Sequence, residues 1–268
     1  HLIPLESITC AWATILFQKS KLMKIKIIAE IGNNHNGRFD LACKMVEAAK
    51  NSGADYAKFQ IYNIDNFLHK KSSYYQEFLN EDFGLDKFEK IFRKYNSTKF
   101  KIIATPFDPL SAKFLLSLGI KTIKIASGDI DNFLMFEEIV KYKPEIIYST
   151  GGATEQEIFK IHKYFQNMGC SKIIPLHCIA NYPANIEELN IDYMSRIKQM
   201  LDCEVGYSDH SIGIMAPLIA VSAGAVLIEK HFTIDKKLPG GDNEMSIDQS
   251  ELTEMIKKIN EALIMKGT

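Results

Sequence analysis

From Lys24 onward the chain alternates short β-branched, apolar segments with longer amphipathic segments. Eight apolar segments are predicted to be strands: Ile25–Glu30, Tyr56–Gln60, Lys101–Thr105, Thr122–Ala126, Glu145–Thr150, Lys172–Cys178, Cys203–Tyr207 and Val226–Lys230. The clearest helical segments between and after them are Asp40–Ser52, Leu110–Leu118, Glu155–Gln166 and Ile247–Ile264. Eight β/α units in about 250 residues are typical of a closed, single-domain α/β barrel, the (β/α)8 or TIM barrel. An open, doubly wound sheet remains the alternative, because periodicity does not show closure.

The longest segment without a clear pattern, Ile61–Asp86, follows the second predicted strand and contains Tyr74, Tyr75 and Phe78. We expect it to be functional or partly helical, because long irregular loops are uncommon in compact domains. Residues 1–22 are interpreted as a poorly specified N-terminal extension of the barrel domain 23–268, with a short appendage packed on the barrel as the alternative. Their apolar run 8–17 is too short to span a bilayer, and no basic stretch precedes it.

Charge and cysteine content narrow the class of protein. The 32 basic and 33 acidic side chains give a formal net charge of -1, which offers no electrostatic footprint for nucleic acid or an anionic membrane. The five cysteines include no C-x-x-C pair, so a disulfide framework and a structural zinc site are disfavoured and a cytoplasmic location is expected.

Polar side chains stand at the carboxyl end of every predicted strand. In chain order they are Glu30; Lys58 and Gln60; Thr105; Lys124, Ser127 and Asp129; Ser149; His177 and Tyr182; Ser208 and His210; and Glu229 and His231. A (β/α)8 barrel places its active site at this rim, with residues contributed by several strands. The sequence therefore predicts an enzyme site there.

Two lysines lie inside apolar strands, Lys58 in DYAKFQ and Lys124 in KTIKIAS. An unpaired buried ammonium group is unfavourable, so each requires an anionic partner. Internal carboxylates are one solution. The neighbouring glycine and hydroxyl clusters, which include Ser127 and Ser149, favour a bound phosphate instead.

His210 and His231 end adjacent predicted strands, so we expect them to face each other across the barrel mouth. Two imidazoles near carboxylates suit a divalent metal such as Mn²⁺. Glu30, Glu229 and Asp242 are candidates for proton transfer or for accepting hydrogen bonds from sugar hydroxyls. His162 lies on a predicted helix beside Lys163, and we expect it to face solvent.

The segments at these strand ends resemble the sialic acid synthase family. They are AEIGNNHNG (29–37), AKFQ (57–60), ATPFD (104–108), IKIASGD (123–129), STGG (149–152), LHC (176–178), NYPA (181–184), GYSDHSIG (206–213) and EKHFT (229–233). The family includes N-acetylneuraminate, legionaminate and pseudaminate synthases. The resemblance implies a (β/α)8 barrel that joins phosphoenolpyruvate to an N-acetylmannosamine-type aldose and releases phosphate by C–O cleavage.

The resemblance also implies roles for individual residues. His210 and His231 would bind a divalent metal, Mn²⁺ or Mg²⁺. Phosphoenolpyruvate would be held by Lys58, Lys124, Ser127, Ser149 and Ser208. The sugar and the transferred protons would be handled by Glu30, Gln60, Tyr182, Glu229 and Asp242, and Thr105 and Asp129 would complete the substrate-binding set.

Three features depart from the family pattern. Asp129 stands where a Glu is common, and Ala180 replaces a frequent Asn. The chain ends at Thr268, so we expect a barrel without the antifreeze-like domain that, in the family, reaches across a dimer to the partner's sugar site. A homodimer is suggested by the same resemblance.

Two other functions stay open at this point. One is a barrel that binds phosphoenolpyruvate or a sugar without turnover. The other is a different 3-deoxy-ulosonate synthase, which acts on a phosphorylated sugar. The chain has only three arginines, Arg38, Arg93 and Arg196, and none ends a predicted strand. An unphosphorylated aldose is therefore favoured.

Overall fold

A computed structural model describes residues 24–267. These residues form eight strands: β1 (Lys26–Gly32), β2 (Tyr56–Ile61), β3 (Lys101–Pro106), β4 (Thr122–Ile125), β5 (Glu145–Ser149), β6 (Ile173–His177), β7 (Gly206–Asp209) and β8 (Leu227–His231). All neighbours pair in parallel, and β8 returns to pair with β1. The predicted closed (β/α)8 barrel is confirmed, and the open sheet is excluded.

Ten α-helices occur within the described residues. They are α1 (Phe39–Asn51), α2 (Ile64–Phe67), α3 (Tyr75–Glu81), α4 (Leu85–Tyr95), α5 (Pro109–Ser117), α6 (Phe133–Val140), α7 (Glu155–Asn167), α8 (Tyr193–Leu201), α9 (Met215–Ser222) and α10 (Gln249–Lys266). Short 3-10 helices span Ser127–Asp129 and Ile186–Glu188. The segment after β2 is partly helical, as expected, because α2 and α3 lie within it.

Side-chain caps explain where several helices begin. The Asp108 carboxylate accepts hydrogen bonds from the backbone of Leu110 and Ser111, and Pro109 occupies the first turn of α5. Thr154 and Asp248 form capping boxes with Glu157 and Glu251 at α7 and α10. These caps satisfy backbone N–H groups that otherwise lack partners at a helix start.

The two faces of each strand have different neighbours, since successive side chains point in opposite directions. Outward residues pack with the helices in the main hydrophobic core. Inward residues near the amino ends of the strands form a second, smaller cluster: Ile28, Tyr56, Ile103, Ile147, Ile174, Leu176 and Leu227. Two residues further along, inward positions become polar: Ile28 precedes Glu30, Tyr56 precedes Lys58, and Leu227 precedes Glu229. Inward side chains are therefore apolar toward the amino end of the barrel and polar toward the carboxyl end.

The bounds predicted for the seventh strand are wrong. The prediction ran from Cys203 to Tyr207, whereas β7 spans Gly206–Asp209. Its pairing begins at Gly206, where a Cβ atom would lie 2.5 Å from Leu176 Cδ2 and 2.6 Å from the Leu227 carbonyl oxygen. The strand enters a crowded barrel wall there and continues through the polar residues Ser208 and Asp209.

The predicted extension, residues 1–22, lies outside the described residues. Within residues 24–267, no helix combines the length and apolar character needed to cross a membrane.

Candidate active site

A cavity opens at the carboxyl ends of the strands and is called the inner cavity here. It is lined by Glu30, Lys58, Gln60, Thr105, Phe107, Lys124, Ala126, Ser127, Ser149, Tyr182, Ser208, His210, Glu229 and His231. This lining contains every residue to which the family resemblance assigns a role except Asp129 and Asp242. Of the other strand-end residues, His177 lies outside it, with its Nε2 2.8 Å from the Leu189 carbonyl oxygen. All eight strands or their following loops contribute to the region, as the barrel topology requires.

The two buried lysines share the carboxylate of Glu229 in the inner cavity. Lys58 Nζ lies 2.9 Å from Glu30 Oε2 and 3.6 Å from Glu229 Oε2. It also donates a hydrogen bond of 2.9 Å to Thr105 Oγ1. Internal carboxylates are therefore the partners of Lys58 in this structure. This was one of the two alternatives that the sequence left open.

Lys124 extends the same network across the barrel. Its Nζ donates to Ser149 Oγ at 2.6 Å and to the Ile125 carbonyl oxygen at 3.1 Å. It lies 3.7 Å from Glu229 Oε1, which also accepts a 2.9 Å hydrogen bond from Ser208. Glu229 thus stands between both ammonium groups.

The environment separates the two carboxyl groups in acidity. Burial raises the pKa of Glu30 to about 7, against the attraction of Lys58, and Glu229 adds to the rise. Burial also acts to raise the pKa of Glu229, but Lys124 and Lys58 outweigh it and hold that pKa well below its usual range. Near neutral pH, Glu229 is a fixed carboxylate and Glu30 can exchange a proton.

The two histidines face each other at the rim, as predicted, with ring centroids 5.5 Å apart. His210 Nδ1 lies 2.6 Å from the Ile179 carbonyl oxygen. A carbonyl only accepts, so Nδ1 carries the proton and Nε2 keeps its lone pair. His231 Nδ1 is buried without a hydrogen-bond partner and lies 3.4 Å from Asp242 Oδ2. Burial lowers the pKa of both rings, which favours the neutral, metal-binding form.

This donor set fits a divalent metal bound through two protein nitrogens. Among residues 24–267, no group of three His, Cys, Asp or Glu side chains is arranged to hold a metal. His210 and His231 would therefore supply only part of the coordination, and the remaining positions would be open to substrate or water.

A second cavity, called the outer cavity here, adjoins the first and has a volume of about 290 Å³. Its lining is Asn33, Gln60, Phe67, Glu77, Phe78, Glu81, Phe107, Tyr182, Gly241 and Asp242. Gln60, Phe107 and Tyr182 line both cavities. The Tyr182 ring stacks on His210 with centroids 4.1 Å apart. The outer cavity combines an aromatic wall with carboxylates and amides, and its lining contains no lysine, arginine or histidine.

Asp242 lies at the edge of the outer cavity on a loop held by residues that the sequence reasoning did not select. The buried Asn34 side chain accepts from Asp242 N at 2.8 Å and donates to the Phe232 carbonyl and to Ser246 Oγ. Glu81 Oε1 accepts from Gly241 N at 2.7 Å. A Cβ at Gly241 would lie 2.8 Å from Asn34 Oδ1, so glycine permits this close approach. The position of Asn34, two residues after the end of β1, was the signal in the sequence that could have identified it.

Ser127 and Asp129 lie differently after β4. Ser127 Oγ accepts from Gly151 N at 3.1 Å, lies 3.3 Å from Cys178 Sγ and faces the inner cavity. Asp129 is outside that lining and accepts a 3.0 Å hydrogen bond from Asn132. A substrate contact by Asp129 stays a prediction.

Together, the closed parallel barrel and the polar inner cavity at its carboxyl rim define a (β/α)8-barrel enzyme. Residues 45–268 match the NeuB family. N,N'-diacetyllegionaminic acid synthase of Legionella pneumophila is 36% identical over 260 residues, which cover 90% of this chain and 73% of that protein. Pseudaminic acid synthase of Campylobacter jejuni is 33% identical over 253 residues, covering 89% of this chain and 74% of that protein.

Solved structures give the same result. The crystal structure of N-acetylneuraminic acid (sialic acid) synthetase from Leptospira borgpetersenii, in complex with citrate, superposes with a TM-score of 0.87 at 33% identity. The match covers 91% of this chain and 85% of that one. The chain belongs to the NeuB family.

Proposed function

We propose that this chain condenses phosphoenolpyruvate with an unphosphorylated N-acetylmannosamine-type aldose to give a sialic-acid-like nonulosonic acid and phosphate. The observation that carries the proposal is the convergence of Lys58 and Lys124 with Ser127 and Ser149 in the inner cavity, which His210 and His231 also line. Two buried ammonium groups beside hydroxyl donors suit a ligand that carries both a phosphate and a carboxylate. The named relatives are synthases of sugar acids of this type.

In the proposed reaction, C3 of phosphoenolpyruvate forms a bond to the aldehyde carbon while the carbonyl π bond breaks toward the aldehyde oxygen, which takes up a proton. Positive charge develops at C2. Water adds to C2, and the bond from C2 to the phosphate oxygen then breaks to release phosphate. Lys58 and Lys124 hold the anionic groups and fix C3 relative to the aldehyde. Glu30, whose pKa burial raises to about 7, can accept the proton of the attacking water.

His210 and His231 would hold the divalent metal, Mn²⁺ or Mg²⁺. Bound there, the metal supplies Lewis-acid polarisation of the aldehyde oxygen. The chain contributes the two neutral nitrogens, and Tyr182 covers the His210 ring from the side of the outer cavity.

The outer cavity favours an uncharged aldose. Its lining carries the carboxylates of Glu77, Glu81 and Asp242 and no basic side chain, so a second phosphate would have no cationic partner there. This disfavours the alternative of a 3-deoxy-ulosonate synthase that acts on a phosphorylated sugar.

A cytoplasmic location and a homodimer are also part of the proposal. Size-exclusion chromatography with light scattering tests the homodimer.

The deciding experiment measures phosphate release from phosphoenolpyruvate with Mn²⁺ and a panel of N-acetylated aldoses, with and without chelator. Lys124→Met serves as the matched inactive control. Release that requires both an aldose and the metal supports the synthase and identifies its substrate. Binding of phosphoenolpyruvate without release with any aldose would instead support the non-catalytic binding barrel.

A further inference from the structure

One fully buried ion pair in the barrel wall takes no part in the chemistry proposed above. Lys230 Nζ lies 2.6 Å from Asp209 Oδ2, and both side chains have 0% exposure. The two residues are opposite each other in the β7–β8 register. Because side chains alternate along a strand, both point away from the inner cavity, whereas their neighbours Ser208, Glu229 and His231 line it.

The pair closes the turn that carries His210. Asp209 Oδ1 accepts hydrogen bonds from Ser211 N at 3.0 Å and from Ser211 Oγ at 2.8 Å. Lys230 Nζ donates a further hydrogen bond to the Ser211 carbonyl oxygen. Asp209 and Ser211, which flank His210, are thus both bound to Lys230, the residue immediately before His231.

Beyond this turn, His210 is also held by the loop after β6, where the Tyr182 ring stacks on it and two hydrogen bonds reach it. Its carbonyl oxygen accepts from Ala184 N at 3.0 Å, and its Nδ1 contacts the Ile179 carbonyl oxygen. These contacts orient the ring relative to the loop after β6. Relative to β8 and His231, the strand that carries the ring is held by the β7–β8 ladder, and at its carboxyl end by the ion pair.

A buried ion pair is weak evidence for stability, because desolvation of the two charges offsets much of their attraction and an apolar pair often serves as well. Its hydrogen-bond geometry, however, fixes one arrangement of the two strands. We propose that Lys230 and Asp209 are positioning residues that set the spacing of His210 and His231 for a divalent metal. The inference rests on the proposed metal-binding role of these histidines.

The test compares metal binding with stability in the full chain. Mn²⁺ affinity is measured by titration calorimetry for the wild type, Lys230→Met and the double variant Lys230→Met/Asp209→Asn, alongside thermal unfolding. In the double variant no charge remains unpaired, and the amide oxygen of Asn keeps an acceptor for Ser211 N.

We expect both variants to bind Mn²⁺ roughly 10- to 100-fold more weakly, the range seen when groups that orient metal ligands are removed. We expect the melting temperature to recover in the double variant while the Mn²⁺ affinity does not. Phosphoenolpyruvate affinity measured in chelator should be unchanged.

Asp55→Asn provides the matched control. Asp55 is a buried carboxylate that pairs with Lys24 and Lys26 at 2.6 Å and 3.1 Å, at the amino end of the barrel. Its loss should lower the melting temperature without changing Mn²⁺ affinity. Wild-type Mn²⁺ affinity in the double variant, or recovery of affinity together with stability, overturns the positioning role alone. Failure of the wild type to bind Mn²⁺ overturns the metal assignment and this inference together.

Discussion

Replacing Glu229 with Gln removes the carboxylate that stands between two buried ammonium groups. The contacts to Lys58 and Lys124 at 3.6 and 3.7 Å correspond to about 4–5 kcal/mol each at an effective dielectric constant of ~20, before desolvation is counted. Breaking a buried pair lowers the free energy of unfolding by about 3–5 kcal/mol in practice, because the remaining charge is left uncompensated. For a chain of this size, that predicts a fall in melting temperature of roughly 10 °C.

The same substitution should strengthen the binding of phosphoenolpyruvate, because the ligand then supplies the missing negative charge. Saturating ligand should recover much of the lost stability, since a ligand that binds only the folded state stabilises it by mass action. Thermal unfolding with and without phosphoenolpyruvate, together with titration calorimetry, measures both effects. Activity should nevertheless fall, because Glu229 lines the inner cavity beside Ser208.

Glu30→Gln is the matched control. The pKa of Glu30 is raised by burial, so its ionised form is disfavoured in the folded protein and a neutral amide should lower stability much less. Equal losses of stability in the two variants, or weaker phosphoenolpyruvate binding by Glu229→Gln, would refute this account of the charge distribution.

Three further predictions follow from other parts of the structure. His210→Ala should abolish Mn²⁺ binding and metal-dependent phosphate release while circular dichroism stays unchanged; full activity would contradict the metal assignment. Asn34→Ala frees the loop that carries Asp242, so the KM for the aldose should rise roughly tenfold or more while the KM for phosphoenolpyruvate holds, as steady-state kinetics can check. Burial, with a contribution from Lys87, lowers the pKa of His35 to about 3, from a value near 6.5 in the unfolded chain. Between these two pH values the folded state binds fewer protons than the unfolded state, so the free energy of unfolding falls as the pH decreases. His35 alone should lower the free energy of unfolding by about 2 kcal/mol at pH 5. Urea unfolding of His35→Phe, measured across this pH range, should show a smaller decrease in that free energy than the wild type.

The barrel was predictable because its signals are local and repeated. Apolar, β-branched strands recur eight times, and the helices predicted to begin at Leu110 and Ile247 begin within two residues of those positions, at Pro109 and Gln249. The position of the site followed from topology, since all carboxyl ends of a parallel barrel meet at one rim. Individual strand bounds were less certain, and β7 was misplaced because its second half consists of polar residues that face the site or the ion pair.

Contacts between distant segments were not predictable from the sequence. His162 was expected to face solvent, yet it is 3% exposed and its Nδ1 lies 3.3 Å from Tyr148 Oη. The prediction followed the adjacent Lys163, whereas His162 shares the buried face of the helix with Ile158 and Phe165. Asn34 likewise acquires its role only when the loop after β8 reaches it, about two hundred positions away. The partners of Lys58 and Lys124 stayed ambiguous because their contacts depend on strand register.

The alternation of side chains along β7 and β8 explains how a rigid wall and a polar cavity arise from the same short segments. Inward positions supply Ser208, Glu229 and His231 to the cavity, while outward positions supply Asp209 and Lys230 to the wall. Ser208, Glu229 and His231 are therefore each adjacent in sequence to Asp209 or Lys230, which form the ion pair on the outer side of the wall. Removing that pair would leave the cavity residues present but would loosen the strands that hold them. The inward residues of these two strands consequently form the site, and the outward ion pair holds the strands that position them.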